Sequence, residues 1–576
     1  MNGHNRTALV LAAAACWACE SVNEWTGEIS VTIVSPAERE FVQGQVPVVV
    51  EVEPITGIAG VEFSIDPETL DLRYDTDIVA PWESVLDTLT LTDGAHDLSV
   101  LAVARTGETA EARQVILVDN LNPGIEVVSP GPRDVAFVED GTFTFVVRAR
   151  DGSGVQGVSM MVEGTELTGV TPGADDVYEA TIDLTAYADQ VGSSILHLDV
   201  TAVALDAYER ESAAFASLPV ARRIRWQQRL PSAIAGPVAV SPAGDVIYAA
   251  TLDGVIYALD LRTGQIVCQS GPGPEAYRGP TVFPDGSAVL VGTASGVRAI
   301  RAAPACTDMW RARNGEVAQG APFVHPRTAI VYFTTREGGL HAANAAGTVL
   351  WTRGDIGLVR SGPALVSDLD LLVVAADDNF LRAVALDASG NAAAGFRWTA
   401  ETGGPLEAGA VVDGSRVYVG STDFNVYAFN AADGTRIWDA PFATDRSITT
   451  DPFVDLRGDV YVTNRDARLF RLTPGRDLVW MYEAATEIDY SSPIVDERSD
   501  LVLFGEVGEA GPDGVSLGVL HAVDRESGEA AWTATLSGSI SSSPTVHGGT
   551  VFIGTSAGNV YALFLDGDAA LRAFEL

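Results

Sequence analysis

Apolar and polar residues alternate with a period of two along the first third of the chain. Val46, Val48, Val50 and Val52 would share one face of such a strand. Pro47 interrupts this run and predicts a strand at a sheet edge, because proline cannot donate a hydrogen bond to a neighbouring strand. Gly and Asp turns separate similar runs, and this spacing is typical of a β-sandwich.

The same region is duplicated at a spacing of about 95–100 residues. In the second copy Phe143, Phe145 and Val147 would share a strand face, as the valines do in the first. The clearest matches are 33–36 (IVSP) with 127–130 (VVSP), and 98–103 (LSVLAV) with 198–203 (LDVTAV). We therefore predict two β-sandwiches, over residues 28–120 and 121–221.

Both predicted sandwiches resemble bacterial immunoglobulin-like domains. The resemblance lies in the strand pattern and in an Asp-Gly-Ala-His segment at 93–96 that precedes a late strand. No cysteine lies between residues 20 and 267, so the inter-sheet disulfide of antibody domains is absent. We expect the pair to act as a spacer.

A different repeat begins at about residue 226, with a period near 42 residues. Each copy continues through short apolar runs, such as 246–249 (VIYA) and 255–259 (VIYAL), to a glycine turn and an aromatic residue. The opening residues are Pro237, Pro280, Pro322, Pro363, Ala410, Pro452, Pro493 and Pro544. Four short strands in such a period indicate one blade of a β-propeller.

The aromatic residue near the end of each copy should pack between neighbouring blades. Six copies supply Trp310, Trp351, Trp398, Trp438, Trp480 and Trp532. Cys268 takes the position in the first copy and Phe574 in the eighth, while Trp226 lies 42 residues before Cys268 with no strands of its own copy before it. The segment 224–227 would pair into the last blade, either beside the strand around Phe574 or in its place.

The predicted fold class is therefore all-β: two immunoglobulin-like β-sandwiches followed by an eight-bladed β-propeller over residues 222–576. The repeat resembles the PQQ-like family, whose consensus joins a Val-Tyr-Ala-Leu-Asp strand, a Thr-Gly turn and a Trp. One branch of that family contains quinoprotein dehydrogenases that use pyrroloquinoline quinone and calcium. Another branch is the propeller lipoprotein of the outer-membrane β-barrel assembly machinery, a non-enzymatic scaffold. The chain lacks the vicinal Cys-Cys pair and the long insertions of the enzymes, which favours the scaffold branch.

Residues 1–19 have the composition of a secretory signal peptide. Arg6 precedes the apolar run 8–15, which is too short to span a bilayer. The three alanines before Cys16 are similar to a bacterial lipobox, so Cys16 is the lipidation candidate and Cys19 the alternative. Signal cleavage without lipidation stays open. We expect an exported envelope protein, either an outer-membrane lipoprotein or a surface protein, with a periplasmic or secreted protein as the alternatives.

Cys268 and Cys306 are the only cysteines beyond the signal region. Export permits a disulfide between them, and two buried thiols are the alternative. No histidine pair has the spacing of a metal site. His341 and His521 occupy the same strand position in their copies, which indicates a packing role.

Acidic residues in the sandwiches offer oxygen ligands to calcium at one cluster, formed by Asp71, Asp75 and Asp77, and at the pair Asp175-Asp176. No repeated calcium-loop pattern accompanies these residues, so solvated acidic loops are the simpler interpretation. We predict no cofactor: PQQ is disfavoured and calcium is unsupported.

The seventh copy is the longest, with 51 residues from Pro493 to Pro544. Its additional segment, 506–518, is rich in glycine. Insertions of this kind lie between strands at one face of a propeller, where they either contact ligands or are tolerated surface loops. The candidate binding residues in this segment are Glu506, Glu509, Asp513 and Ser516.

Charge narrows the choice of partner. The 576 residues carry a net charge of −41 and include no lysine, which argues against nucleic-acid binding. The net charge is −28 over residues 20–221 and −14 over 222–576. We predict a monomeric, non-enzymatic protein that binds an envelope or extracellular protein or polysaccharide, with membrane contact only through a lipid anchor. The alternatives are a PQQ- and calcium-dependent dehydrogenase and a purely structural surface protein.

Overall fold

The computed structural model describes residues 28–574, apart from 54, 67, 75–81, 193, 235, 314, 512–513 and 515. The signal segment, with Cys16 and Cys19, lies outside the described residues. Across the described part the regular structure is β-strand, with three short 3-10 helices and one α-helix, Gly567–Phe574. None of the helices described is long and apolar enough to cross a membrane.

The chain divides into two compact units. Unit 1 holds the described residues up to Val128, together with Val146–Ala180 and Val200–Ala216. Unit 2 holds Ser129–Phe145, Thr181–Asp199 and the chain from Ser217 onward.

The N-terminal sandwich in unit 1 contains a three-stranded and a five-stranded sheet. In spatial order the smaller sheet is Ser30–Ser35, Gln45–Glu53 and Trp82–Asp87. The larger is Phe41–Val42, Thr109–Val118, Gly94–Ala104, Ile58–Ile65 and Glu68–Tyr74, and a 3-10 turn spans Thr88–Thr90. The alternating valines predicted from the sequence, including Val48 and Val50, are buried in one core with Phe63 and Val100 from the larger sheet.

The prediction that Pro47 marks an edge strand is wrong. Its strand, Gln45–Glu53, is the middle strand of the smaller sheet. Pairing with the Ser30–Ser35 strand ends at Val49. Pro47 is therefore paired on one side only, with Val85 of the Trp82–Asp87 strand. Proline is tolerated because no strand pairs with it on the remaining side.

The second sandwich region, residues 124–221, repeats this strand order. Its first sheet is Thr171–Pro172, Val177–Asp183, Thr142–Arg150 and Gly124–Ser129. Its second sheet is Ala136–Phe137, Glu211–Ala221, Leu196–Asp206, Val155–Val162 and Thr165–Glu166, and 3-10 turns span Val138–Asp140 and Leu184–Tyr187. The duplication seen in the sequence therefore corresponds to a duplicated topology, with one additional short strand.

The rest of unit 2 is a propeller built from four-stranded antiparallel sheets, numbered 1 to 8 along the chain. Sheets 1 to 4 are Ala239–Val240, Val246–Ala250, Ile256–Asp260 and Ile266–Gln269; Thr281–Val282, Ala288–Thr293, Gly296–Arg301 and Asp308–Ala312; Phe323–Val324, Val331–Thr334, Leu340–Ala343 and Val349–Arg353; and Ala364–Val366, Leu371–Ala375, Phe380–Ala385 and Trp398–Glu401. Sheets 5 to 7 are Val411–Asp413, Arg416–Gly420, Asn425–Asn430 and Phe442–Ala443; Phe453–Val454, Val460–Asn464, Arg468–Leu472 and Leu478–Glu483; and Ile494–Asp496, Leu501–Glu506, Leu517–Asp524 and Ala530–Ser537.

Sheet 8 combines strands from both ends of the repeat region. Thr545–His547, Thr550–Gly554 and Asn559–Phe564 are followed in space by Ile224–Arg229, which pairs antiparallel with the third of these strands. Phe574 lies instead at the end of the α-helix, so the expectation that it supplies the last-strand aromatic residue is wrong. Trp226 takes that position, because the earlier segment already occupies the open edge of the sheet.

The segments before the first strands form the inner edge of the ring. The first strands of sheets 1 and 2, and those of sheets 4 and 5, contact each other. Side-chain hydrogen bonds connect the same segments between consecutive sheets, as from Thr281 Oγ1 to the Pro322 carbonyl at 2.7 Å. Thr545 Oγ1 of sheet 8 donates to the Val238 carbonyl before sheet 1 at 2.7 Å, so the ring is continuous there.

Candidate functional site

The tryptophans predicted to pack between blades link neighbouring sheets by hydrogen bonds as well. Each indole Nε1–H donates to a backbone carbonyl of the following sheet, at 2.8 to 3.1 Å. The pairs are Trp226–Leu261, Trp310–Ala345, Trp351–Gly390, Trp398–Ala431, Trp438–Pro474, Trp480–Arg525 and Trp532–Leu565. A belt of equivalent links therefore runs between consecutive sheets and includes the contact from sheet 8 to sheet 1.

The contact between sheets 1 and 2 is covalent. Cys268, at the tryptophan position of sheet 1, forms a disulfide with Cys306 in the loop before the last strand of sheet 2. The sequence permits either a bridge or two buried thiols, and the structure contains the bridge. The disulfide thus lies where the other sheets have a tryptophan hydrogen bond.

Turn glycines make room for the belt. Gly264 and Gly434 have positive φ of 72° in the turns after the third strands of sheets 1 and 5. A Cβ on Gly434 would lie 2.6 Å from the Trp398 ring, and one on Gly264 would lie 2.5 Å from that of Trp226. Glycine is required here both for the backbone conformation and for the approach of the indole.

The structure describes three of the four residues proposed for a binding loop in the seventh copy. Glu506 is the last residue of a strand and is 1% exposed. The backbone of Glu509 accepts a hydrogen bond from the Leu517 N–H, and Ser516 is bridged to Ala510. Asp513 lies outside the described residues, so the arrangement of the four as one binding surface stays a prediction.

The buried Glu506 is bound to His521. Its Oε2 lies 2.6 Å from His521 Nε2, and the imidazole is stacked on Phe504 with ring centroids 4.8 Å apart. Burial alone would raise the pKa of Glu506, but hydrogen bonds from His521 and Thr486 outweigh it and lower the pKa. This pair is part of the packing inside sheet 7.

A polar cavity of about 170 Å³ lies at the inner edge of the ring. Tyr277, Arg278, Gln319, Tyr490 and Ser541 line it, and they come from the segments that precede sheets 2, 3, 7 and 8. The cavity therefore brings together segments from the early and the late sheets of the ring. We call these five residues the channel mouth.

Repeat register explains how the channel mouth is built. Tyr277, Gln319, Tyr490 and Ser541 each lie three residues before the opening proline of their copy. The same position is Glu407 before sheet 5. The prolines mark the copies, and the variation three residues before them is the signal in the sequence that was missed for this site.

Charged groups beside the cavity act on its aromatic residues. The Arg278 guanidinium lies 5.8 Å from the Tyr490 ring centroid, within the range of a cation–π contact. Burial raises the pKa of Tyr490, and the negative charges of Asp489 and Glu407 raise it further, against opposing effects of Arg465 and Arg278. The mouth therefore combines aromatic surface with charges of both signs.

Among the residues that the structure describes, no group of three or more His, Cys, Asp or Glu side chains is arranged to hold a metal ion. Asp75 and Asp77 lie outside that part. Asp175 and Asp176 precede the strand Val177–Asp183, where Asp176 pairs with Arg150 at 2.9 Å.

Comparison with known proteins finds two family models that each match part of the chain. A family model described as outer membrane protein assembly factor BamB matches residues 293–499 and 515–572. A bacterial Ig domain model matches residues 30–100. The search of curated proteins finds no match.

Solved structures similar to the chain include natural and designed proteins. BamB from Moraxella catarrhalis is 16% identical, with a TM-score of 0.48 over 59% of this chain and 99% of that chain. The computationally designed Ika8 protein is 14% identical, with a TM-score of 0.49 over 58% of this chain and 98% of that chain.

Proposed function

We propose that this protein is a non-enzymatic scaffold that binds a protein partner at the bacterial cell envelope. The proposal rests on its PQQ-like repeat propeller and its N-terminal bacterial immunoglobulin-like domain. In this proposal two immunoglobulin-like sandwiches act as the spacer. They precede an eight-bladed propeller whose ring is closed by Ile224–Arg229. The propeller provides the binding surface.

The observation that supports this role most directly is the channel mouth. The belt of tryptophan hydrogen bonds and the disulfide hold the sheets in fixed relation, so the side chains at the inner edge are pre-organised. Tyr277, Tyr490 and Arg278 belong to the residue types that contribute most energy to protein interfaces. The match to the assembly-factor family favours a protein over other partners.

Site-specific crosslinking in the envelope tests the proposal. A photoreactive amino acid replaces Tyr490 in the full chain, and a matched variant carries it at Asp439, an exposed residue after Trp438. We expect the Tyr490 position to capture a defined protein that mass spectrometry identifies, and the Asp439 position not to capture it. Equal capture at both positions, or no captured protein, would contradict the proposal.

The rival enzymatic function has its own measurement. The purified chain is incubated with PQQ and calcium, and dye reduction is followed with alcohols and sugars as substrates. We expect no turnover above the rate of the free cofactor. Saturable turnover would replace the scaffold by a quinoprotein dehydrogenase.

A further inference from the structure

Two half-buried carboxylates beside the channel mouth lack hydrogen-bond donors. Neither Glu407 nor Asp489 accepts a hydrogen bond from the residues that the structure describes. The Asp489 Oδ1 atom is buried, and its ion-pair contact is with Arg465 Nη2 at 3.8 Å. Arg465 itself donates to Glu487 at 2.6 Å, so its charge is already shared. Removing a carboxylate from water without a donor is costly, so this site is suited to an additional cation.

The electrostatic surroundings of Asp489 agree with this conclusion. Burial raises the pKa of Asp489, and Glu487 and Glu407 raise it further. Arg465 and Arg278 oppose this effect but do not cancel it. Asp489 thus lies in a partly desolvated site beside two other carboxylates, those of Glu487 and Glu407.

The remaining groups at the mouth fit a long basic side chain. The buried Gln319 Oε1 atom has no donor among the described residues. The Tyr490 ring already accepts one guanidinium, that of Arg278, on its face. A cavity of about 170 Å³ is smaller than the roughly 300–1,000 Å³ of typical small-molecule sites, and it suits a single side chain.

Building on the proposed scaffold function, we propose that the channel mouth receives a lysine or arginine side chain of the protein partner. The cationic head lies between Asp489 and Glu407, and the aliphatic part packs against the Tyr490 ring. The basic residue must come from the partner if it is lysine, because this chain contains none. The acidic propeller, with a net charge of −14 over residues 222–576, also attracts a basic segment from a distance.

Capped pentapeptides test this proposal on the full chain. Gly-Gly-Lys-Gly-Gly, its Arg analogue and its Glu analogue are titrated, and saturation-transfer NMR reports binding. We expect saturable binding of the Lys and Arg peptides that weakens with salt. Asp489→Asn should weaken it about tenfold, because a charge-assisted contact is lost. The matched control Asp439→Asn, at an exposed position after Trp438, should leave it unchanged.

A second variant gives the opposite sign and separates recognition from damage to the fold. Arg278→Gln removes the internal cation on Tyr490, so we expect the Lys peptide to bind several-fold more tightly. Stronger binding of the Glu peptide than of the Lys peptide, or an unchanged affinity in Asp489→Asn, overturns the proposal.

The crosslinking result distinguishes this failure from a failure of the scaffold function. If the peptides do not bind while the Tyr490 position still captures a protein, basic side-chain recognition is rejected and the scaffold function stands. If capture fails as well, the scaffold function is rejected too.

Discussion

His341 and His521 show how a polar side chain is accommodated at one repeat position inside a buried sheet. His341 is fully buried and stacked on Phe333, at a ring-centroid distance of 4.9 Å, as His521 is on Phe504. Its nitrogens lie 3.2 Å from Thr335 Oγ1 and 3.0 Å from Thr352 Oγ1. The packing role predicted from the shared register is confirmed for both histidines.

Burial has a measurable consequence at His341. Burial, together with the positive charge of Arg313, lowers the pKa of His341 to about 4, although Glu316 and Glu337 oppose the shift. The unfolded chain binds a proton at about pH 6.5, so between these values it binds more protons than the folded chain. Stability contributed by neutral His341 is thus present above pH 6.5 and lost as the pH falls towards 4.

We predict that His341→Gln reduces the acid sensitivity of the protein. Between pH 7 and 5 the wild-type chain should lose about 2 kcal/mol of unfolding free energy through this group, and the variant should not. Urea unfolding at both pH values measures the difference. His547→Gln, at an exposed position, is the control and should keep the wild-type pH dependence. An identical pH dependence in all three proteins would show that His341 is not the titrating group.

At the scale of elements, each sheet is linked to the next by a residue in its last strand or, in sheet 5, by Trp438 just before that strand. Tryptophan serves this purpose because one side chain both fills the space between sheets and donates to a carbonyl. In sheet 1 the smaller Cys268 cannot fill that space, and the bridge to Cys306 provides the link instead.

We predict that replacing both cysteines by serine lowers stability without changing the fold. Cys268 and Cys306 are separated by 38 residues, and closing a loop of this length contributes roughly 2–4 kcal/mol. Thermal unfolding should therefore begin at a lower temperature, with an unchanged circular dichroism spectrum at 20 °C as the check on the fold. Equal unfolding temperatures for the variant and the reduced and oxidised wild-type chain would contradict a stabilising bridge.

At the scale of the whole molecule, unit 2 joins the propeller to part of the second sandwich. Arg223, 3% exposed, donates two hydrogen bonds of 2.8 Å to the carboxylate of Asp140. Its guanidinium lies 4.1 Å from the Phe137 ring centroid and 4.3 Å from that of Trp532. Phe137 also packs in one cluster with Phe564 and with the α-helix. The buried guanidinium of Arg223 therefore contacts both the propeller and the sandwich residues of unit 2.

We predict that Asp140→Asn destabilises unit 2 by about 3 kcal/mol, because it leaves the Arg223 charge buried and unpaired. Arg229→Met, at an exposed position on the strand that follows Arg223, should change stability by less than about 0.5 kcal/mol. Chemical unfolding of the full chain followed by tryptophan fluorescence measures both. Equal stability of the two variants would show that the Arg223 contact does not hold unit 2 together.

The sequence determined the features that depend on short segments. Alternation in Val46–Val52, the opening prolines, the turn at Gly434 and the register of Trp398 each follow from local geometry that every copy must satisfy. For this reason the all-β class, the duplication and the propeller repeat could be predicted before any contact was known. Insertion length, by contrast, does not report which side chains are buried, and Glu506 of the candidate loop is 1% exposed.

Only the tertiary structure decided the features that join distant residues. Ile224–Arg229 rather than the region of Phe574 completes sheet 8, Cys268 reaches Cys306, and Arg278 of one copy faces Tyr490 of another. These outcomes depend on closure of the ring, which brings together residues more than two hundred positions apart in the last case. The repeat period specifies the strands of each sheet. The free energy of closing the ring, however, depends on contacts between sheets, and no local sequence pattern encodes which strand edge or charged side chain pairs with which distant partner.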